Sequence, residues 1–270
     1  MVERLNHIPG APRLALLADL HGRDPAPVLA SVKAYRPELI AIAGDFIYGS
    51  HPVDDVSPLS VQENALPFLQ SCAAIAPTFL SLGNHEYMLD STDLDAIAAK
   101  GVTLLDNKWE TITVENRSVV IGGLTSAYVT DYRRFLATLD EQERAGMRYP
   151  RKDWKKLRTA TERVPDTSWL HAFADAPGYH ILLSHHPEYY PLIPSSVNLV
   201  LSGHAHGGQW AYYSIRRRRM CGLFAPGQGF WAKWTRGVYE GRLVVSAGLS
   251  NTTRVPRICN PTEVVFIESP

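Results

Sequence analysis

The chain has 270 residues, 45% hydrophobic and 20% charged, a balance typical of a folded globular protein and unlike a disordered or fibrous one. Basic and acidic residues are equal at 27 each, so no global field draws the chain to nucleic acid or membrane, and any such affinity needs a local patch. Three cysteines, Cys72, Cys221 and Cys259, lack metal-type spacing; their odd number argues against a disulfide framework and fits a reducing compartment.

The amino terminus, MVERLNHIPGAP, has no apolar signal core, and no stretch approaches the ~20 apolar residues of a membrane span. The first strand signal, RLALLADLH, is an apolar run ending in Asp19 and His21. A predicted helix in DPAPVLASVKAYR leads to PELIAIAGDF, which ends in Asp45. A second helix in VQENALPFLQSCAAI precedes TFLSLGNHE, which ends in Asn84, His85 and Glu86, and a third in TDLDAIAAKG is closed by Gly101. WETITVENRSVVIGG favours β structure, whereas Tyr128 to Pro177 is polar and helical in character and carries the basic run RKDWKKLR. YHILLSHHP then ends in His185 and His186, and VNLVLSGHAH in His204 and His206. GRLVVSAGL and PTEVVFIES close the chain and, with WETITVENRSVVIGG, are expected to form a second sheet packed on the first.

Five predicted strands thus end in side chains able to hold a metal, at the edge where open α/β sheets bind ligands. His204 and His206, at alternate positions of an extended segment, project the same way and can reach one point. A His-x-His pair alone is more often merely hydrogen-bonded. His7, His51, His171 and His180 lie outside every motif and read as surface or packing residues.

Asp-x-His, Gly-Asp, Gly-Asn-His-Glu, His-x-Pro and Gly-His-x-His, in this order over residues 19 to 206, resemble the calcineurin-like metallophosphoesterase superfamily. The later stretches GHAHGGQ, LFAPGQGFWAKWTRGVY and LVVSAGLSNTTRVPRICNPTEVVFI are similar to a bacterial branch that includes cell-envelope phosphodiesterases and a UDP-diacylglucosamine hydrolase. The resemblance implies an α/β four-layer fold, a two-sheet β-sandwich flanked by helices, as one domain over 1–270 with a helical polar insert around 128–177. It implies a binuclear centre in which Asp19, His21, Asp45 and His206 hold one metal and Asp45, Asn84, His185 and His204 the other. Two divalent ions ~3.5–4 Å apart need a shared anionic oxygen, which the bridging Asp45 supplies. Imidazole and oxygen ligands without thiolate suit manganese, iron, zinc or cobalt better than calcium, and manganese is favoured.

In the family the residue equivalent to His85 contacts the phosphate and assists the leaving oxygen. Glu86 is expected to hold the His85 ring, with a helix N-terminal acid as its alternative role. His186 points away from His185 and is expected to support a ligand or face the substrate. Gly207 either permits a turn or lets the backbone approach the substrate closely.

The activity expected is hydrolysis of a phosphodiester or pyrophosphate through in-line attack by a hydroxide bridging the two ions. Gln209 to Arg236 mixes aromatic residues with Arg216 to Arg219 and Lys233. Trp231 and Trp234 are expected to meet a substrate with an apolar tail or bulky headgroup at a bilayer surface, the alternative being packing beneath the second sheet. The same tract keeps a nuclease or nucleotide phosphodiesterase open. A non-catalytic scaffold is a further alternative, weighed against by the filling of every ligand position. No protein partner is inferred. The short segment before the first strand leads to an expected cytoplasmic location, peripheral at the inner membrane face.

Overall fold

The computed structural model describes residues 1–48, 59–138, 164–215, 219–251 and 255–270. In chain order the first half contains β1 (Val2–His7), β2 (Leu14–Leu17), α1 (Ala26–Tyr35), β3 (Leu39–Ala43), α2 (Ala65–Ala73), β4 (Thr78–Ser81), α3 (Ser91–Ala98) and β5 (Val102–Leu104). There follow β6 (Lys108–Val114), β7 (Arg117–Leu124), α4 (Ala127–Thr138), α5 (Leu170–Asp175), β8 (Tyr179–Ser184) and β9 (Leu199–Ser202). Two short hairpins come next, β10 (Ala211–Ser214) with β11 (Arg219–Gly222) and β12 (Phe224–Ala225) with β13 (Gly229–Phe230), before β14 (Gly237–Tyr239), β15 (Leu243–Val245) and β16 (Glu263–Glu268).

The strands form two six-stranded sheets, ordered β1-β16-β2-β3-β4-β5 and β14-β15-β9-β8-β7-β6. β2, β3 and β8 are apolar on both faces because both faces are covered, as parallel strands in layered folds require. Leu14, Leu16, Leu39 and Ala41 point between the sheets and meet Ile181, Leu183, Leu199 and Leu201. Their neighbours Ala15, Leu17, Ile40 and Ile42 point outward under α1, α2 and α3. Leu182 and Val200 point out from the second sheet onto Leu170 and Phe173 of α5. Helix, sheet, sheet and helix therefore stack in four layers. The three connecting helices fall where the sequence placed them, and α3 opens on a reciprocal cap between Asp90 and Asp93.

Two features differ from the sequence reading. PTEVVFIES forms β16, but it joins the first sheet, antiparallel to β2, while β8 and β9 belong to the second. Apolar patterning marks a strand without naming its partner, and these pairings join residues some 250 positions apart, beyond any local signal. β1 was not anticipated: its outer face is exposed, so VERLNH reads as polar, yet it pairs with β16 in parallel. Arg4 on β1 reaches the fully buried Glu263 at 3.0 Å, and Arg236 reaches the same carboxylate at 2.6 Å. A buried carboxylate needs such partners, and this one ties the edge of one sheet to the other.

The segment expected over 128–177 is helical at its described flanks, α4 and α5; residues 139–163, including RKDWKKLR, lie outside the described residues. Among the described residues no helix is long and apolar enough to cross a membrane.

Candidate metal centre

The centre is assembled where β2, β3 and β4 of one sheet and β8 and β9 of the other all end at the same edge. Each strand hands its chain to a tight turn. Asp19, His21, Asp45, His204 and His206 all take positive φ, between 47° and 63°, a region that costs a residue with a Cβ of order 1–3 kcal/mol. Such strain persists only where surroundings enforce it, and here it turns five side chains toward one point. The turns are interlocked: a methyl on Gly44 would sit 2.6 Å from Gly83 N and 2.9 Å from His185 Nδ1.

Asp19, His21 and His206 form one cluster of donors. Asp19 Oδ1 lies 3.8 Å from His21 Nε2 and 3.6 Å from His206 Nε2. Asp45 Oδ2 lies 3.9 Å from His21 Nε2 and 3.0 Å from His185 Nε2, so it stands between the two ligand sets. His204 falls beside His185 and His186, with ring centroids 5.1 and 4.1 Å away.

Whether these residues fit metal ions can be read from their unused atoms. Both nitrogens of His21, Nε2 of His185 and Oδ1 of Asn84 are buried without a hydrogen-bond partner. Leaving such atoms unpaired costs about 1–3 kcal/mol each, a penalty that coordination removes. His185 Nδ1 donates to the Ala43 carbonyl at 2.6 Å, which leaves Nε2 as the nitrogen that faces Asp45 and that would ligate an ion once its proton is displaced. The donor set of imidazole nitrogen and carboxylate or amide oxygen fits divalent transition ions.

Charge supports the same fit. Burial alone would raise the Asp45 carboxyl, yet His185 and His85 hold it well below the usual range. Asp19 is likewise lowered, with His206 and His21 outweighing burial. Burial lowers His206 to about 4 and takes His204 well below the ordinary imidazole value. Charged carboxylates beside the neutral His204 and His206 are the ionisation states that ligate cations, whereas against burial Asp45 and Asp19 raise His185 to about 10, so a bound cation would displace its proton.

His85 occupies the mouth. Its ring meets His21 edge-on at 4.6 Å and Tyr48 at 5.3 Å, its Nε2 is 3.9 Å from Asp45 Oδ2, and a quarter of its side chain is exposed. Glu86 does not hold that ring. Its carboxylate accepts backbone N–H groups from Gly83 at 2.7 Å, Asp45 at 2.9 Å and Ile47 at 3.3 Å. It braces the two ligand-bearing turns instead, because it is fully buried beneath them.

Two residues expected at the substrate sit elsewhere, and a third stands beside the ligand His204. Trp234 is buried in the outer core of the second sheet, its ring 6.1 Å from Tyr190, so for this residue packing prevails over substrate contact. Gly207 is buried, and a Cβ there would overlap Asn260 Oδ1, so the glycine serves a close approach within the fold. His186 is also buried, with Nε2 2.8 Å from Ser126 Oγ and Nδ1 3.1 Å from Glu188 Oε1. Trp231, by contrast, is 70% exposed. The sequence reading missed Ser126, Glu188, Tyr48 and Arg257, whose guanidinium lies 3.1 Å from His206 Nδ1. Ser126 had a legible signal, since it follows the end of β7 at the same sheet edge.

The calcineurin-like phosphoesterase family model matches residues 12–208. The chain belongs to that family. The match contains the whole donor set, from Asp19 to His206. A metallophosphoesterase-named protein of Caenorhabditis elegans is 27% identical over 280 residues, covering 98% of this chain and 50% of its own length. An uncharacterized metallophosphoesterase of Campylobacter jejuni is 25% identical over 254 residues, covering 92% of this chain and 55% of its own length. The chain thus spans about half the length of these curated relatives. Among solved structures, a Staphylococcus aureus protein named as a 5′-nucleotidase aligns over 96% of this chain and 55% of its own, with 12% identity and a TM-score of 0.46. Calcineurin-like phosphoesterases bind divalent metals, and this member presents His and Asp clusters suited to them.

Proposed function

We propose that the protein hydrolyses a phosphodiester or pyrophosphate using two divalent ions, one held by Asp19, His21, Asp45 and His206 and the other by Asp45, Asn84, His185 and His204. The observation that carries this is the set of buried, unpartnered ligand atoms around Asp45, contributed by both sheets. Bound there, two ions would neutralise phosphate charge and lower the pKa of a water.

The chain's own residues do the rest. Asp45, between the sets, would supply an anionic oxygen to both ions and so damp their repulsion. Burial takes His85 down to about 4, so at neutral pH it is an uncharged imidazole able to donate an N–H to a phosphate oxygen or the leaving oxygen. Its backbone N–H donates to Asp45 Oδ1 at 2.8 Å, which fixes its position relative to the centre.

The substrate we propose carries an apolar or bulky group met by the two hairpins, as in the lipid-directed branch whose motifs the chain resembles. Leu223 and Trp210 donate backbone N–H groups to Gly208 O, so the hairpins hang from the turn that bears His206. They expose Tyr213, Ile215, Phe230 and Trp231, which gives an apolar rim beside the centre. Arg216 to Arg218 of the basic tract lie outside the described residues.

The test is turnover of bis(p-nitrophenyl) phosphate by protein loaded with manganese, zinc, iron or cobalt, run beside Asp45→Ala. Metal-dependent release of nitrophenolate, absent in the variant, is expected. Inactivity with every metal favours the scaffold reading instead.

A further inference from the structure

Beside the ligands lies a hydrogen-bonded chain the proposed chemistry does not use. Tyr128 N donates to Ser126 Oγ, Ser126 Oγ lies 2.8 Å from His186 Nε2, and His186 Nδ1 lies 3.1 Å from Glu188 Oε1. The arrangement looks like a nucleophile, base and acid, but Ser126 is fully buried, so no substrate reaches its oxygen. Its effect is to fix the ring. Ser126 Oγ engages Nε2 and the Glu188 carboxylate engages Nδ1, so the ring is held from both sides.

The ring in turn fixes Glu188. The carboxylate stands 3.7 Å from His204 Nε2, and Gly227 packs so closely that any Cβ there would overlap Oε1. That glycine lies between β12 and β13, so Glu188 sits under the hairpin exposing Phe224 and Phe230. A carboxylate has about four acceptor positions. Here His186 uses one on Oε1, Oε2 is buried and has no partner, and the side chain as a whole remains 21% exposed.

We propose that Glu188 is a substrate-binding residue that accepts a hydrogen bond from a hydroxyl or ammonium on the alcohol that stays on phosphorus; this rests on the phosphoesterase reading above. His85 stands at the His21 side of the donor cluster and Glu188 at the His204 side. A diester lying across the centre places its leaving group at His85 and its retained alcohol at Glu188, beneath the apolar hairpin. The substrate class is a diester whose retained alcohol joins a polar donor to an apolar body.

The experiment uses manganese-loaded full chain and two isosteric diesters, 4-nitrophenyl 3-hydroxypropyl phosphate and 4-nitrophenyl butyl phosphate, whose longer chain disfavours internal attack of the hydroxyl on phosphorus. The unmodified protein is expected to favour the hydroxypropyl ester in kcat/KM by about tenfold or more, as for loss of one hydrogen bond to a charged group. Glu188→Ala reduces that preference to within about twofold, and Glu188→Gln, which preserves size and folding, falls between. Metal per chain, by elemental analysis, stays at the unmodified level in both. Equal rates on the two esters in unmodified protein, or a preference that survives Glu188→Ala, overturns the proposal. Loss of metal from both variants also overturns it, by making Glu188 a metal ligand. If the loaded protein turns over neither ester nor bis(p-nitrophenyl) phosphate, the phosphoesterase reading itself falls, a result distinct from active protein without preference.

Discussion

Asp45 Oδ2 and His185 Nε2 lie 3.0 Å apart, although one residue follows β3 in the first sheet and the other follows β8 in the second. This contact is where the sandwich closes over its candidate centre, and it joins the two ligand sets through one carboxylate.

Asp45→Ala is therefore expected to remove the oxygen shared by both sets. Elemental analysis of protein purified without chelator should show close to two ions per unmodified chain and a clear deficit in the variant. Two ions retained in Asp45→Ala would mean the carboxylate does not bridge.

His85→Ala separates binding from chemistry. The ring is partly exposed and stands outside the buried donors, so the variant should keep its metal while kcat falls about 10²–10⁴-fold, the range for a positioned acid or base. Parallel loss of metal and activity would make His85 a ligand.

Gly44→Ala tests the interlocked turns. Gly44 has φ 77°, and its new methyl would press on the Gly83 backbone and the His185 ring. Destabilisation by about 1–3 kcal/mol or more in urea is expected, with weakened metal retention. A variant of unchanged stability and metal content would show the turns to be plastic.

The metal-free protein should show a stability maximum near pH 6.5. Burial and neighbouring charges lower His85, His204 and His206 in the folded state, so as pH falls below 6.5 the unfolded chain takes up protons first and stability declines. Asp19 and Asp45, also lowered, add to that decline below about 3.8. His185 runs the other way: against the effect of burial, Asp45 and Asp19 raise it to about 10, so its contribution is whole below 6.5 and is lost as pH rises toward 10. Urea midpoints of chelated protein across pH 3 to 10 check the shape, and His185→Gln should flatten the alkaline limb. An alkaline limb unchanged in that variant would remove the Asp45–His185 pair as its cause.

Trp234 and Trp231, three positions apart, should answer oppositely. Trp234→Ala empties a packed site and is expected to cost about 3–5 kcal/mol. Trp231→Ala should leave the urea midpoint almost unchanged while reducing co-sedimentation with anionic liposomes. Undiminished sedimentation of the Trp231→Ala, Phe230→Ala double variant would end the membrane reading of the hairpins.

The five apolar runs and the polar residues ending them were legible in the sequence, because a buried strand needs an uninterrupted apolar run and a sheet edge is where polar groups can gather. The helices α1, α2 and α3 were legible for similarly local reasons. What the tertiary structure alone decided is which strands pair. β16 lies between β1 and β2, its pairings spanning about 250 to 260 positions of the chain, and no local pattern encodes so distant a partner. It decided also the tasks of residues whose types fit several. Glu86 could have faced a ring but braces backbone N–H groups, and Trp234 packs where Trp231 projects. Glu188 reads as an ordinary surface acid until the fold sets it between His186, His204 and Gly227. A side chain's chemistry is local, whereas its partners are fixed by the long-range packing of the two sheets.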